Sequence, residues 1–401
     1  MLTPAEAAAL IGQHLPVLPI ESLPVGLCAG AVLRENIYAE RDQPPFDRVS
    51  MDGIAVDSRA VANGRRRFRI AGMQAAGDPP GRLPAPDSCL EAMTGAVLPD
   101  GCDAVIPVER IVVADGYATL EEGLDVESGQ NIHRRGSDQK QGALLLEAGM
   151  QLQSPDVAVA AGAGMPRLRV SQQPAVMVVS TGNELVEPGE PIADWQLRRS
   201  NAYGLVSALR RRGFQRVADD HLADDAELLR ERLKQHLDSY EVLILSGGVS
   251  MGKLDLVPAA LAACGVTQVF HRIAQRPGKP MWFGKAPNGS LVFALPGNPV
   301  STLVCLARYV IPALEAAMGV RDAGGNGGKI ALAAPVTFNA ALAGFVPVRV
   351  ETDDWGRPWA LAASHNGSGD FAALAGTDGF VELPPGPNVY PKGFVTRLYR
   401  W

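Results

Sequence analysis

Glu241-Val-Leu-Ile-Leu-Ser-Gly-Gly-Val-Ser-Met-Gly-Lys-Leu-Asp255 is the stretch that decides the fold. Glu241 to Leu245 are mostly apolar and β-favouring, which predicts a buried strand. The strand runs into the small-residue loop Ser246-Gly247-Gly248, continues past Ser250 and Gly252, and a helical pattern opens near Leu254. Glycine has no Cβ, so backbone N–H groups can crowd onto a phosphate or oxyanion, and the helix start adds partial positive charge. Asp255 stands at the helix entrance, where a carboxylate either caps the helix or holds a divalent cation beside the anion.

Two further turns match this one. The predicted strand Val176–Ser180 ends in Thr181-Gly182-Asn183-Glu184-Leu185, and Leu291–Leu295 ends in Pro296-Gly297-Asn298-Pro299. Any one such turn is ordinary strand-to-helix chemistry. Three at the carboxyl ends of strands in one open parallel sheet are where such sheets bind ligands.

Around this centre the period alternates between strand and helix from Pro174 to Gly319. Helices are expected at Ala202–Arg212, stopped by Gly213, and at Ala226–Leu237, after Asp224-Asp225. A long apolar helix should follow Asn298-Pro299 and reach Gly319, with a kink at Pro312. Arg210, Arg211 and Arg212 fall in a last helical turn, where cations oppose the negative helix end. The alternation predicts a doubly wound, mostly parallel sheet over residues 173–322.

The flanks differ. Residues 1–45 begin with a helical pattern (Pro4 to Leu15), and helical patterning returns after Ser154-Pro155, read as an N-cap followed by proline. Between them, runs such as Arg67–Ala71, Ala104–Val108 and Arg110–Val113 predict a small β-rich unit. The expected division is a segmented linker domain (1–45 with 139–172) and an inserted β-rich domain (46–138), followed by the central α/β domain. After the glycine-rich stretch Gly324 to Gly328, read as a flexible linker, strand candidates Lys329–Pro335, Val346–Glu351, Pro358–Ala362, Gly379–Leu383 and Gly393–Tyr399 predict a β-barrel or sandwich over 329–401.

Bulk numbers narrow the function. A chain of 401 residues suggests several domains. With 37 Lys and Arg against 43 Asp and Glu, it has no broad basic footprint for nucleic acid. The basic clusters Arg65–Arg67, Arg134-Arg135, Arg198-Arg199 and Arg210–Arg212 read as local features. Cys28, Cys89, Cys102, Cys264 and Cys305 have no metal-like spacing, which fits buried thiols in a reduced, cytoplasmic setting. The opening Met1-Leu-Thr-Pro-Ala-Glu lacks the pattern of a signal peptide, and Asn288-Gly289 and Pro296 to Pro299 interrupt the longest uncharged stretch, Ala286–Ala307. No membrane span is expected. His133 and His271 have no partner at ligand spacing, so no zinc site is expected.

Several segments set charged residues among backbone-permissive glycines: Pro44 to Gly53 with Asp47, Arg48 and Asp52; Met93-Thr94-Gly95-Ala96 with Asp103 to Glu109; Gly129 to Asp138; and Arg276-Pro277-Gly278-Lys279-Pro280. In this order they resemble the molybdopterin molybdenumtransferase family, the MoeA type, also found as the C-terminal part of gephyrin. The resemblance covers nearly the whole chain.

It implies a reaction in which adenylylated molybdopterin and molybdate give molybdenum cofactor and AMP, with Mg²⁺ required. It implies elongated homodimers, each site lying between the central domain of one subunit and the inserted domain of the other. It also implies the molybdopterin adenylyltransferase and downstream molybdoenzymes as partners. By motif, Asp52, Asp138, Glu184, Asp224, Asp255 and Lys279 take catalytic places, with Glu184, Asp224 and Asp255 as Mg²⁺ ligands. Thr94, Ser246, Gly247, Gly248, Ser250, Gly252, Arg276, Pro296, Gly297, Asn298, Arg349 and Ser368 take substrate-binding places, the Arg349 and Ser368 matches being to the site or its oxyanion pocket. Two positions depart from the pattern: Asn183 stands where an acid is common, and Arg276 where lysine is common.

On the residues alone, Asp224 is equally a helix N-cap, Asp52 is by default a turn residue, and the alternative for Glu184 is a solvated surface acid. Two other functions stay open: an adenylyltransferase or nucleotide pyrophosphohydrolase built on the same central domain, and a non-catalytic scaffold. The flanking regions weigh against the first. The intact set Asp52, Asp138, Glu184, Asp255 and Lys279 weighs against the second.

Overall fold

The computed structural model describes residues 1–249, 256–324, 327–338, 341–364 and 366–401. Its centre is a six-stranded sheet in the order Val217–Leu222, Val176–Thr181, Val242–Ser246, Leu291–Leu295, Trp282–Lys285, Thr267–His271. The first four strands run parallel, Trp282–Lys285 runs against them, and Thr267–His271, antiparallel to Trp282–Lys285, runs with the first four. Strand alternation divides the side chains between two cores. Val176, Val178, Val242, Ile244, Leu291 and Phe293 face one, and Met177, Val179, Leu243, Leu245, Val292 and Ala294 face the other. Helices cover both faces, so these strands read as continuous apolar runs rather than alternating ones.

Helix Ser200–Arg211 packs on the first face and stops at Gly213, whose φ of 90° suits a left-handed C-terminal position. Helices Ala226–Ser239 and Val257–Ala263 pack on the second. The long apolar helix is continuous from Pro299 to Ala317, and 78% of its most apolar window is buried inside the protein. It is long and apolar enough to cross a membrane, but that apolarity is committed to the core. The kink expected at Pro312 is a widened π turn over Leu306–Val310. Pro312 has no N–H to donate and its ring crowds the carbonyl of Arg308, and the wider turn relieves both.

The inserted β-rich unit is a six-stranded sheet ordered Ala104–Pro107, Gly53–Val56, Ser88–Ala92, Arg67–Gln74, Tyr117–Leu120, Ile111–Ala114. The chain segments on either side of it pair with one another: Ile20–Pro24 with Arg167–Ser171, and Ile37–Tyr38 with Leu144–Leu146. Cys28, Leu33, Ile37, Leu146, Ala160 and Leu168 form their shared core. The first helix, Pro4–Gln13, does not join them; Ala7 and Ile11 are buried in the central core. At the later helix, Ser154–Gly162, Gln153 rather than Ser154 is the N-cap, its N–H donating to Asp156 Oδ2 at 2.7 Å.

The C-terminal strands close into a barrel: Ala343–Thr352, Pro358–Ala362, Lys329–Leu332, Val395–Arg400 and Gly379–Leu383, which pairs back to the first. The barrel is bound to the central domain at several places. Gln275–Arg276 adds a parallel pairing to Ala343 and Gly344. Val300, Val304, Phe345, Phe380 and Tyr399 share one buried cluster, and Arg308 Nε donates to Glu382 Oε2 at 2.9 Å. Arg212, expected only to oppose a helix dipole, also donates to the Arg400 carbonyl at 3.0 Å. The glycine-rich stretch is more than a tether: the Gly324 N–H donates to Glu315 at 2.7 Å, and a Cβ on Gly327 would fall on the Leu398 carbonyl.

Candidate functional site

Register in the central sheet sets Ser180 beside Ser246 and Ser246 beside Leu295, so three strands end side by side. Their turns touch. A Cβ on Gly247 would lie 2.9 Å from the Thr181 carbonyl oxygen and 3.0 Å from its hydroxyl, and one on Gly297 would lie 3.7 Å from the Gly247 Cα. Gly247 and Gly248 both have positive φ, 105° and 65°. A side chain at either would be strained and would push the turns apart.

Two cavities open from this junction. One, of about 560 Å³, is lined by Ser180, Thr181, Glu184, Ser246, Gly247, Gly297 and Asn298, with Leu185, Leu197 and Phe371 among its apolar walls. The other, of about 600 Å³, lies between the central domain and the barrel, lined by Arg276, Lys279, Pro296, Asn298, Phe338, Phe345 and Ser368 among others. Asn298 is common to both. Its Nδ2 donates to Ser368 Oγ at 2.7 Å, and the Val300 N–H donates to the Ser368 carbonyl at 3.2 Å, so a barrel loop is fastened over the Pro296–Asn298 turn.

The electrostatics of the two differ. Among the described residues no carboxylate lines the second cavity, and neither Arg276 nor Lys279 has an ion-pair partner. Two cations without ion-pair partners give this cavity a positive lining, the kind of surface that attracts anions. Buried Gln275 shapes its floor. It accepts from the Tyr309 hydroxyl and donates to the Pro277 carbonyl at 3.1 Å, and Gly278 presses against it and Cys305. Burial pushes the Cys305 thiol well above its ordinary range, and Cys89 and Cys102 up to about 12, so none is a ready thiolate nucleophile.

The first cavity carries the acid. Glu184 lines it, and Asp224 adjoins the same turn because its N–H donates to Asn183 Oδ1 at 3.0 Å. Asp224 is not the N-cap of the following helix; Asp225 is, accepting from the Leu228 N–H at 2.8 Å. Asp255, Ser250 and Gly252 lie outside the described residues. Among the described residues no group of three His, Cys, Asp or Glu could by itself enclose a metal ion. The donor set fits Mg²⁺ in the way that ion is commonly held, by one or two carboxylates together with substrate phosphates.

Sequence reasoning missed three side chains here. Thr181 is buried, and among the described residues its hydroxyl has no hydrogen-bond partner while facing Gly247 and Gly248. An unpaired hydroxyl in such a place is a donor in waiting. Asn201 donates to Ser246 Oγ at 2.9 Å and to the Gly297 carbonyl at 2.7 Å, joining two of the turns. Arg199 is buried and bonds Glu187 at 2.6 Å, Asp219 at 2.5 Å and Ser180 at 3.3 Å. Burial acts to lower its pKa, but the two carboxylates outweigh that and raise it. Its charge is already taken, so it braces the wall. In the sequence it stands out only as part of the basic cluster Arg198-Arg199.

The remaining expected residues lie apart. Asp52 accepts from the Thr94 N–H at 2.6 Å and its hydroxyl at 2.7 Å. Asp138 meets His133 Nε2 at 2.8 Å. All belong to the inserted unit or its margin, and among the described residues none from 46–138 lines either cavity. Arg349 is exposed on the barrel, pairs with Leu361 and lines neither cavity. Gly248 backs the first cavity without being one of its lining residues.

Comparison with known proteins accounts for the whole chain. Family models match residues 2–164 (MoeA N-terminal region, domain I and II), 177–316 ("Probable molybdopterin binding domain") and 329–396 (MoeA C-terminal region, domain IV). The molybdopterin molybdenumtransferase of Synechocystis sp. is 39% identical over 402 residues, covering 100% of both chains. That of Haemophilus influenzae is 35% identical over 325 residues, 80% of this chain and 79% of its own. The crystal structure of a molybdopterin biosynthesis MoeA protein from Pyrococcus horikosii matches with a TM-score of 0.82 at 28% identity, covering 100% of this chain and 99% of its own. With this likeness from end to end, on a chain that carries a glycine-bounded cavity at the sheet edge and a cation-lined one under the barrel, the chain belongs to the MoeA family of molybdopterin molybdenumtransferases.

Proposed function

We infer that the chain is a molybdopterin molybdenumtransferase that converts adenylylated molybdopterin and molybdate into molybdenum cofactor with release of AMP. The observation that carries this is the pair of cavities meeting at Asn298. The carboxylate-free cavity suits a tetrahedral oxyanion, which Arg276, Lys279 and Ser368 would gather. The glycine-bounded cavity suits the pyrophosphate of the adenylylated pterin, held by Gly247, Gly248, Ser246 and the spare Thr181 hydroxyl. Glu184 and Asp224 would hold Mg²⁺ against those phosphates, and the ion supplies charge neutralisation at the anhydride. The protein's own part is positioning and charge stabilisation, with no covalent intermediate needed.

Asp52, Thr94 and Asp138 enter this reading through a second copy. In a homodimer the inserted unit of one subunit would face the cavities of the other and complete the site. A cytoplasmic setting, and hand-over from the adenylyltransferase and to molybdoenzymes, belong to the same proposal. The test is to follow AMP from adenylyl-molybdopterin with purified protein. Release should require both molybdate and Mg²⁺; release without molybdate would make the chain a pyrophosphohydrolase instead.

A further inference from the structure

His133 stands between a cation and an acid. Its Nδ1 is 3.0 Å from Arg48 Nη2, and its Nε2 is 2.8 Å from Asp138 Oδ1. A guanidinium has only donors, so Nδ1 must be the acceptor and the ring proton must sit on Nε2, where it donates to Asp138. The backbone fixes the geometry, because Arg48 and His133 are paired residues of two short antiparallel strands, Arg48–Val49 and Ile132–His133. Arg48 also bridges Val97 on the inserted unit. The neighbouring cations are occupied elsewhere: Arg134 bonds Asp47 at 2.6 Å and Arg135 bonds Asp42 at 2.9 Å. Asp138 Oδ1 takes a further contact from Ser137 Oγ at 3.4 Å, while Oδ2 has no partner among the described residues.

We propose that His133, locked in its Nε2–H tautomer by Arg48, is a positioning residue that orients Asp138 and leaves Oδ2 facing outward to meet the reacting substrate. This rests on the reading of Asp138 as a site carboxylate. A carboxylate aimed by an imidazole that is itself aimed by a third group gives a directed lone pair, where a free surface aspartate would sample many rotamers.

The test uses the full chain with adenylyl-molybdopterin, molybdate and Mg²⁺, reading AMP release. His133→Leu should lower kcat by about 10- to 100-fold with KM nearly unchanged, the size and pattern expected when an orienting partner is lost. His133→Gln, which can accept from Arg48 and donate to Asp138, should recover most of that loss. In ¹⁵N-histidine-labelled protein, His133 should show an unprotonated Nδ1, and Arg48→Met should abolish that single-tautomer signature while the protein melts at its usual temperature. Wild-type kcat in His133→Leu, or a proton on Nδ1, would overturn the proposal. Asp138→Asn separates it from the underlying reading: full activity there would remove Asp138 from the site, whereas an inactive Asp138→Asn beside a fully active His133→Leu would remove only the relay.

Discussion

Asp52 has two donors from a single residue, the Thr94 backbone N–H and then its hydroxyl, and together they hold its carboxyl below the ordinary range. A depressed carboxyl adds stability that is present above the unfolded value and lost as pH falls through the folded one. Thr94→Val removes the hydroxyl and keeps the backbone donor. The Asp52 midpoint in an NMR titration should then move part of the way back up, and an unmoved midpoint would mean the hydroxyl does nothing. At this scale the sequence was readable where backbone chemistry announces itself. Lys279, Asn298 and Glu184 sit among glycines and prolines, and each lines one of the cavities. Thr181, Asn201 and Arg199 were not, because their roles come from neighbours distant in sequence. Asp52-Gly53 reads as a turn, and its tie to Thr94 crosses 42 residues.

Among elements, the strand ends at the sheet edge matter most. Gly247 has a φ of 105° and a Cβ there would crowd Thr181. Gly247→Ala should cost about 1–3 kcal/mol in backbone strain and open the turns. Calorimetry should show weakened binding of adenylyl-molybdopterin together with a lower melting temperature; wild-type affinity would count against a cradle at this loop. Leu291–Leu295, Pro358–Ala362 and Gly379–Leu383 were read with their observed bounds because turn residues mark their ends. Val217–Leu222 was missed for a physical reason. Asp219 and Asp220 interrupt its apolar pattern, since one bonds Arg199 and the other Arg232 and His236. The charge that hides the strand from the sequence is what braces the cavity wall beside it.

At the scale of the whole molecule, the barrel and the central sheet are fastened by a shared core and the Arg308–Glu382 ion pair, so the cation-lined cavity is built into a packed interface. The inserted unit contributes no lining to either cavity within the protomer, among the described residues. On the proposed reading, a site that uses Asp138 and Lys279 together draws one of them from a second chain. Mixing two inactive variants, Asp138→Asn and Lys279→Ala, tests this most directly. If each site draws Lys279 from one subunit and Asp138 from its partner, half of the randomly mixed dimers carry one intact site, and AMP release should return to about a quarter of wild type. A mixture as inactive as its two parents, with exchange of subunits verified, would contradict the account.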